Sequence, residues 1–435
     1  MHPADGIRHQ LRLLGHVQEF ARHVFHYHSD MNRTAALAPL VALLLGAGAR
    51  SELRIDNRSL TVEPVQTPAG AESGQPQLTV SNRGVLLSWI ERSGTVATLK
   101  FAERTASGWT PVKAVASGSD WFVNWADVPS VLRLSNGTLI AHWLQKSGAD
   151  TYAYDVRLAR STDDGKMWTP SFLPHSDGTK TEHGFVSMFE TPGAQLGLVW
   201  LDGRSMTTGH DGHGGGDMSL RFGAFGRQWK QTAETALDAR VCECCPTTAA
   251  MTSDGPIVAY RDRSGEEVRD IYVTRLENGK WTDGRPVHQD NWRINACPVN
   301  GPSLSAQARN VVLGWFSARD NLPKSFAAFS TDAGRTFGGP IRLDDEGSLG
   351  RVDVELLPDG SAVAAYIEFA NQKADFRLRR VSGNGEKSAP VIVSNVAGNR
   401  TSGHPRMALS GKELVFAWVD RSAGSQVRTA VARVR

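Results

Sequence analysis

The sequence predicts an all-β fold, a β-propeller of four-stranded antiparallel blades, seven in number with six as the alternative. An apolar, β-prone strand ending in Trp or Tyr recurs along the chain, with its aromatic at positions 89, 143, 200, 260, 315, 366 and 418. The intervals, by subtraction, are 54, 57, 60, 55, 51 and 52 residues, the span of one blade each. Asn136-Gly137, Asp254-Gly255 and Asp359-Gly360 stand just before three of these strands, and such dipeptides accept the positive φ of tight hairpin turns. No Pro/Ser-rich linker or charge block divides the 435 residues, so one closed repeat array fits better than two unrelated domains.

In chain order, Met31-Asn32-Arg33, the apolar run Ala35 to Leu45 and the small-x-small triplet Ala47-Gly48-Ala49 read as a secretory signal over 31–49. Residues 1–30 read as an extension upstream of that start, with a true N-terminal tail as the alternative. The expected division is therefore a leader at 1–49 and a propeller at 50–435, secreted or periplasmic. No segment reaches the roughly 20 apolar residues of a membrane-spanning helix. Formal charge is +3, and removing 1–49 takes Arg8, Arg12, Arg22 and Arg33 against Asp5, Glu19 and Asp30, leaving +2. A balance this near neutrality argues against nucleic acid or an anionic membrane as partner.

Within each unit a first strand precedes the turn, as in Gln77-Leu78-Thr79-Val80, Ser130-Val131-Leu132-Arg133-Leu134 and Asp353-Val354-Glu355-Leu356-Leu357. A third strand follows, as in Ala97-Thr98-Leu99-Lys100-Phe101 and Asp270-Ile271-Tyr272-Val273-Thr274, and a fourth is suggested by Thr110 to Val115. The seventh unit runs out at its third strand, so Ser59-Leu60-Thr61-Val62-Glu63 is expected to supply its fourth and close the ring.

Between third and fourth strands of the second and fifth units lie Ser161-Thr162-Asp163-Asp164-Gly165-Lys166-Met167-Trp168 and Ser330-Thr331-Asp332-Ala333-Gly334-Arg335-Thr336-Phe337. Serine and aspartate oxygens can bond nearby backbone N–H groups, glycine takes the left-handed conformation, and the aromatic anchors the turn. These segments resemble the Asp-boxes of the sialidase (neuraminidase) superfamily, in which Ser161, Asp163, Gly165, Trp168, Ser330, Asp332, Gly334 and Phe337 would be structural. The resemblance implies a glycan ligand and glycoside hydrolysis with a carboxylate-gripping arginine cluster, a Tyr–Glu nucleophile pair and an aspartate acid/base. Arg204, Arg263 and Arg319 are the candidate ligand grips. Tyr366 and Glu368 could mimic the nucleophile pair, and Asp127, Asp353 and Glu368 are candidate acid/base carboxyls. The family's early Arg-Ile-Pro is absent, and Gly74-Gln75-Pro76 stands in its place. Each arginine also has a neighbouring Asp, so structural Asp/Arg pairing is the competing reading.

Three of the four cysteines fall in Cys242-Glu243-Cys244-Cys245-Pro246, and the fourth, Cys297, is again followed by proline. In an up-and-down blade, the connections from second to third strand and from one blade to the next share one face. That face collects Asp127, His183, Cys242, Cys244, Cys245, Cys297, Asp353 and His404, together with His210 and His213 of a Gly-rich loop. Thiolates and imidazoles suit copper or zinc, whereas export favours disulfides, with Cys245–Cys297 the natural pair. A redox or nucleophilic cysteine is a third reading. For function, three hypotheses stand: a sialidase-like glycan or small-ligand propeller, a Cys/His metal protein without sugar chemistry, and a noncatalytic interaction scaffold.

Overall fold

The computed structural model describes residues 60–207 and 215–434, so the expected leader, His210 and His213 lie outside the described residues. Seven antiparallel sheets follow one another along the chain, as the aromatic repeat requires. Blade 1 comprises Ser73–Ser81, Gly84–Ser93, Val96–Thr105 and Lys113–Gly118. Blade 2 comprises Ser130–Arg133, Leu139–Lys146 and Tyr154–Ser161, with Phe172 bridging Leu158 where a fourth strand would run. Blade 3 holds His183–Thr191, Gln195–Asp202, Ser219–Phe225 and Gln231–Asp238. Blade 4 holds Thr248–Thr252, Gly255–Arg261, Ile271–Glu277 and the short Arg285–Pro286. Blade 5 holds Ser303–Gln307, Asn310–Ser317, Lys324–Ser330 and Ile341–Arg342. Blade 6 holds Ser348–Leu356, Ala362–Ala370, Lys373–Val381 and Val391–Val396. Blade 7 holds Arg406–Ser410, Glu413–Asp420 and Gln426–Arg433.

The second strands are apolar on both faces because both faces are covered by neighbouring blades. Leu86, Leu87, Leu198, Val199, Val312, Leu313, Ala364 and Phe416 are buried accordingly. Burying each large side chain contributes about 1.5–3 kcal/mol. The terminal aromatics Trp89, Trp200, Tyr260, Trp315 and Tyr366 are among the most deeply buried side chains. Their polar tips need partners, and an acidic residue two positions on often supplies one. Trp89 Nε1 donates to Glu91 Oε1 at 2.8 Å, and Trp200 Nε1 to Asp202 Oδ2 at 2.8 Å.

The fourth strand of blade 7 is Val62–Val65, paired to the C-terminal strand through Val62↔Ala432, Glu63↔Val431, Pro64↔Ala430 and Val65↔Thr429. The expected closure by the N-terminal segment is therefore present, although the ladder begins at Val62. Pro64 is tolerated because this strand is the sheet's outer edge, where a missing N–H breaks no further ladder.

Both Asp-box turns form as expected. Ser161 Oγ bonds Asp163 Oδ1 at 2.8 Å and accepts from Gly165 N at 2.9 Å, while Asp163 Oδ1 accepts from Met167 N at 3.0 Å. Ser330 and Asp332 repeat this, with Gly334 N on Ser330 Oγ at 2.9 Å and Thr336 N on Asp332 Oδ1 at 2.9 Å. Trp168 meets Phe101 edge-on at 6.1 Å, and Phe337 packs into the core of blades 4 and 5. Gly334 has φ +78°, and a Cβ there would sit 2.2 Å from Ile257 Cδ1. Gly334→Ala should cost about 1–3 kcal/mol through strain and clash together, read as a lowered midpoint in thermal unfolding.

Candidate functional site at the central face

The first strands of all seven blades line an axial channel of ≈ 190 Å³, to which Thr79, Ser130, Ser187, Thr248, Ser303, Asp353 and Arg406 contribute one wall each. Their side chains also fasten neighbouring blades. Thr79 Oγ1 donates to Val131 O at 2.6 Å, Ser303 Oγ to Asp353 Oδ1 at 2.6 Å, and Asp353 Oδ2 accepts from Met407 N at 2.8 Å. Asp353 thus links three blades, and burial raises its pKa. Burial and the nearby Asp353 charge push Glu355 up to about 8, although Ser305 Oγ donates to it at 2.9 Å. Such a carboxyl keeps its proton in the folded state and loses it near the ordinary value when unfolded. Stability is therefore full below about pH 4.5 and falls as pH rises through about 8. Glu355→Gln should raise stability at about pH 8.5 by on the order of 1–2 kcal/mol, discounted because the half-buried side chain lines the channel, and change little at about pH 5. Denaturant melts at the two pH values check this.

At the mouth of the channel, Tyr154 OH donates to Glu182 Oε1 at 2.6 Å and lies 3.3 Å from Asp127 Oδ2. Tyr154 is set by the start of the third strand of blade 2, Glu182 and Asp127 by the connections leading into blades 3 and 2. Burial pushes Glu182 up to about 8, and the charges of Asp127, Glu243 and Cys242 add to it. Burial likewise raises Asp127 to about 7, against the hydrogen bond from Phe185 N at 2.8 Å. Glu182 therefore carries a proton at neutral pH. Tyr152, 47% exposed, lies close enough to this group that the charges of Glu182, Cys297, Arg400 and Cys244 act on its phenol. Trp125 adds an aromatic surface, with the guanidinium carbons of Arg351 and Arg400 5.1 and 5.9 Å from its ring centroid. Arg400 makes no ion pair among the described residues.

The cysteines join this group from the connection between blades 3 and 4. Cys242 Sγ lies 3.0 Å from Cys245 Sγ and 3.8 Å from Cys244 Sγ. All four cysteines are free, with Cys242 and Cys245 buried and Cys297 exposed. Burial opposes ionisation of Cys242, but hydrogen bonds from Cys244 and Cys245 and the charges of Arg269 and Arg261 outweigh it and hold its pKa well below the usual thiol range. Burial holds Cys244 and Cys245 well above it. Arg269 Nη1 donates to Cys242 Sγ at 3.3 Å and to Glu243 Oε2 at 3.0 Å. Cys297 Sγ lies 3.8 Å from Glu243 Oε1 and beside Cys244, so the expected Cys245–Cys297 pairing is not the contact found. Cys245 meets Cys242 because the Cys-Glu-Cys-Cys turn folds its own sulfurs inward.

The other sequence candidates are dispersed. Tyr366 and Glu368 share a strand, but Tyr366 OH has no hydrogen-bond partner, and Glu368 is taken up by Asp345 N, Glu346 N and Arg377. They occupy the aromatic-x-acid positions that Trp89/Glu91 and Trp200/Asp202 fill elsewhere, which makes them part of the repeat's packing. Arg204 is held bidentately by Asp202, with both contacts at 2.7 Å, and by Glu234 at 2.9 Å. Arg263 pairs with Glu267 at 2.7 Å instead of with Asp262 and reaches to 3.7 Å from Glu243, beside the cysteines. Arg319 is exposed, and its ion-pair partner among the described residues is Asp320 at 3.4 Å. Among the described residues, the imidazoles do not join the thiols. His183 stacks on His175 at 3.9 Å among Asp155, Asp177 and Asp202, and His404 stacks on Trp125 at 5.4 Å.

Tyr152, Tyr154, Glu182, Glu243, Arg269 and Arg400 were not singled out from the sequence, although the connection rule that collected the cysteines covers most of them. A shorter signal was also present: His175-Ser176-Asp177 and His288-Gln289-Asp290 repeat a His-x-Asp pattern with ring-to-carboxylate contacts of 3.1 and 2.8 Å.

No family model and no curated protein matches this sequence. Solved structures do resemble it. An ulvan lyase of a new polysaccharide lyase family, bound to a -[GlcA(1-4)Rha3S]- fragment, superposes with a TM-score of 0.54 at 10% identity, covering 85% of this chain and 96% of the lyase. The polysaccharide lyase Uly1 gives 0.50 at 10% identity, covering 83% and 90%. The NanB sialidase of Streptococcus pneumoniae gives 0.45 at 7% identity, covering 86% and 94%. What the two lyases share with this chain is the fold. The propeller that the Asp-boxes implied is thus an architecture that glycan-processing enzymes also use. Among the described residues, no helix is long and apolar enough to cross a membrane.

Proposed function

We propose that this propeller binds an acidic glycan at the central face and cleaves its glycosidic bond, with Glu182 delivering the proton to the leaving oxygen. The observation that carries the reading is the Tyr154–Glu182–Asp127 network, which keeps one carboxyl protonated at neutral pH at the mouth of the channel. In hydrolysis water adds to the anomeric carbon, and in elimination a base takes the C5 proton as the C4–O bond breaks; both need a proton at the leaving oxygen, so the assignment of Glu182 is the same for either. Asp127, about one proton-transfer step away through the Tyr154 hydroxyl, sets the charge of the pair.

Recognition would come from Tyr152, whose ring suits the apolar face of a sugar, and from Arg400, which rests on Trp125 and offers a guanidinium free of ion pairs among the described residues to a carboxylate. Arg263 borders the same mouth, whereas the ion pairs of Arg204 leave it a structural role. The glycan-processing enzymes that share the fold support the substrate class, and the resemblance to sialidases makes a sialoside the first substrate to try. Export to the periplasm or outside the cell, where such glycans are met, belongs to the same reading.

The test is a panel of neutral, uronate-containing and sialylated oligosaccharides, assayed for reducing ends, unsaturated products and released sialic acid. Turnover of an acidic member, reduced about 10-fold or more in kcat/KM by Arg400→Ala, is the expected result. The absence of both binding and turnover across the panel would sink the proposal.

A further inference from the structure

We propose that Cys242, Cys244 and Cys245 form a binding site for one thiophilic metal ion, Cu(I) or Zn(II), on the central face. The sulfurs lie within 4.8 Å of one another, and the Cys242–Cys244 separation is 3.8 Å. Metal–sulfur bonds of about 2.3 Å at tetrahedral angles hold thiolates about 3.8 Å apart, so this pair already stands at ligand spacing. Cys245 Sγ, 3.0 Å from Cys242 Sγ, needs only a small side-chain rotation outward.

The surroundings suit such an ion. Cys242 and Cys245 are 1% and 2% exposed, which shields two ligands from water, while the half-buried Cys244 leaves a way in from the mouth. Three thiolates leave a net charge of −2 around Cu(I) and −1 around Zn(II). Arg269, bonded to Cys242 Sγ at 3.3 Å, and the buried Arg261 offset that charge from the outer shell. Cu(I) is satisfied by three soft ligands, whereas Zn(II) takes a fourth. The neighbouring connection provides one: Cys297, beside Cys244 and 3.8 Å from Glu243. No imidazole is needed, since His183 and His404 are engaged elsewhere. The ligands of this site are not the residues proposed to cleave the glycan, so either reading can fail without the other.

The full chain, reduced and stripped of metal, would be titrated with Cu(I) against bicinchoninate and with Zn(II) against a chromogenic chelator. One ion per chain is expected, with loss of three reactive thiols on loading and a rise in melting temperature. Ser at the buried positions 242 and 245 endangers the fold, so Cys244→Ser carries the test, with circular dichroism confirming that it folds. Its affinity for the ion should fall about 100-fold or more. Cys297→Ser should weaken Zn(II) binding about 10-fold or more and leave Cu(I) binding unchanged if copper is the occupant, or weaken both if a four-ligand site is used. Absence of stoichiometric binding of either metal, or unchanged affinity in folded Cys244→Ser, would overturn the proposal. So would a Cys242–Cys245 disulfide mapped in the freshly isolated protein.

Discussion

Replacing Glu182 by Gln should lower glycan turnover by about 10²- to 10⁴-fold while leaving binding nearly intact, because the amide keeps the shape of the carboxyl and cannot give up a proton. The wild-type rate should be flat on the acid side of neutrality and fall as pH rises through about 8, where Glu182 ionises. Tyr154→Phe separates a proton donor from a merely structural carboxyl. The Tyr154 hydroxyl, 2.6 Å from Glu182 Oε1, stabilises the ionised form and so lowers a pKa that burial raises. Without it the carboxyl holds its proton to higher pH, and the alkaline limb should move upward. A limb that stays in place in Tyr154→Phe, or full activity in Glu182→Gln, would remove Glu182 from the mechanism.

Deleting residues 1–65 should abolish the folded propeller. The deletion strips the outer strand from blade 7, ending four cross-strand pairs and exposing the edge of Gln426–Arg433. It also removes Leu60, 5% exposed against Phe376, Phe416 and Trp418, and with Val62 and Val65 this is a loss on the order of 3–5 kcal/mol of apolar burial. A propeller has no second layer to absorb the damage, since each blade is held only by its two neighbours and the ring closes only at blade 7. Size-exclusion chromatography and thermal melts of the truncated chain read the outcome. A truncated chain that elutes like wild type and melts within a few degrees of it would show that closure contributes little. Leu60→Ala, at about 2–5 kcal/mol, is the milder check on the same contact.

The catalytic candidates chosen from the resemblance, Tyr366 and Glu368, show how far local pattern reaches. Their spacing is correct for two side chains on one strand face, yet the same aromatic-x-acid spacing recurs as Trp89/Glu91 and Trp200/Asp202, where it satisfies a buried indole. A repeat protein writes its packing rules several times, so residues at repeated positions are weak candidates for chemistry. The residues that gather at the mouth are the unrepeated ones in the connections.

What the chain determined by itself is the ring and its turns. The strand period, the Asn-Gly and Asp-Gly hairpins and the Asp-box hydrogen bonds all act within a few residues, so they are legible from neighbours alone, and the count of units follows from the period. The thiol group was legible for the same reason, because three of its members lie within four positions. Only the tertiary structure decided which distant residues meet. Tyr154 and Glu182 are 28 positions apart, and Arg400, from the connection into blade 7, comes close enough to Tyr152 of blade 2 for its charge to act on the phenol. Those contacts depend on how far each connection leans toward the axis once seven blades close. The closure is a sum over the whole ring, and no single segment records it.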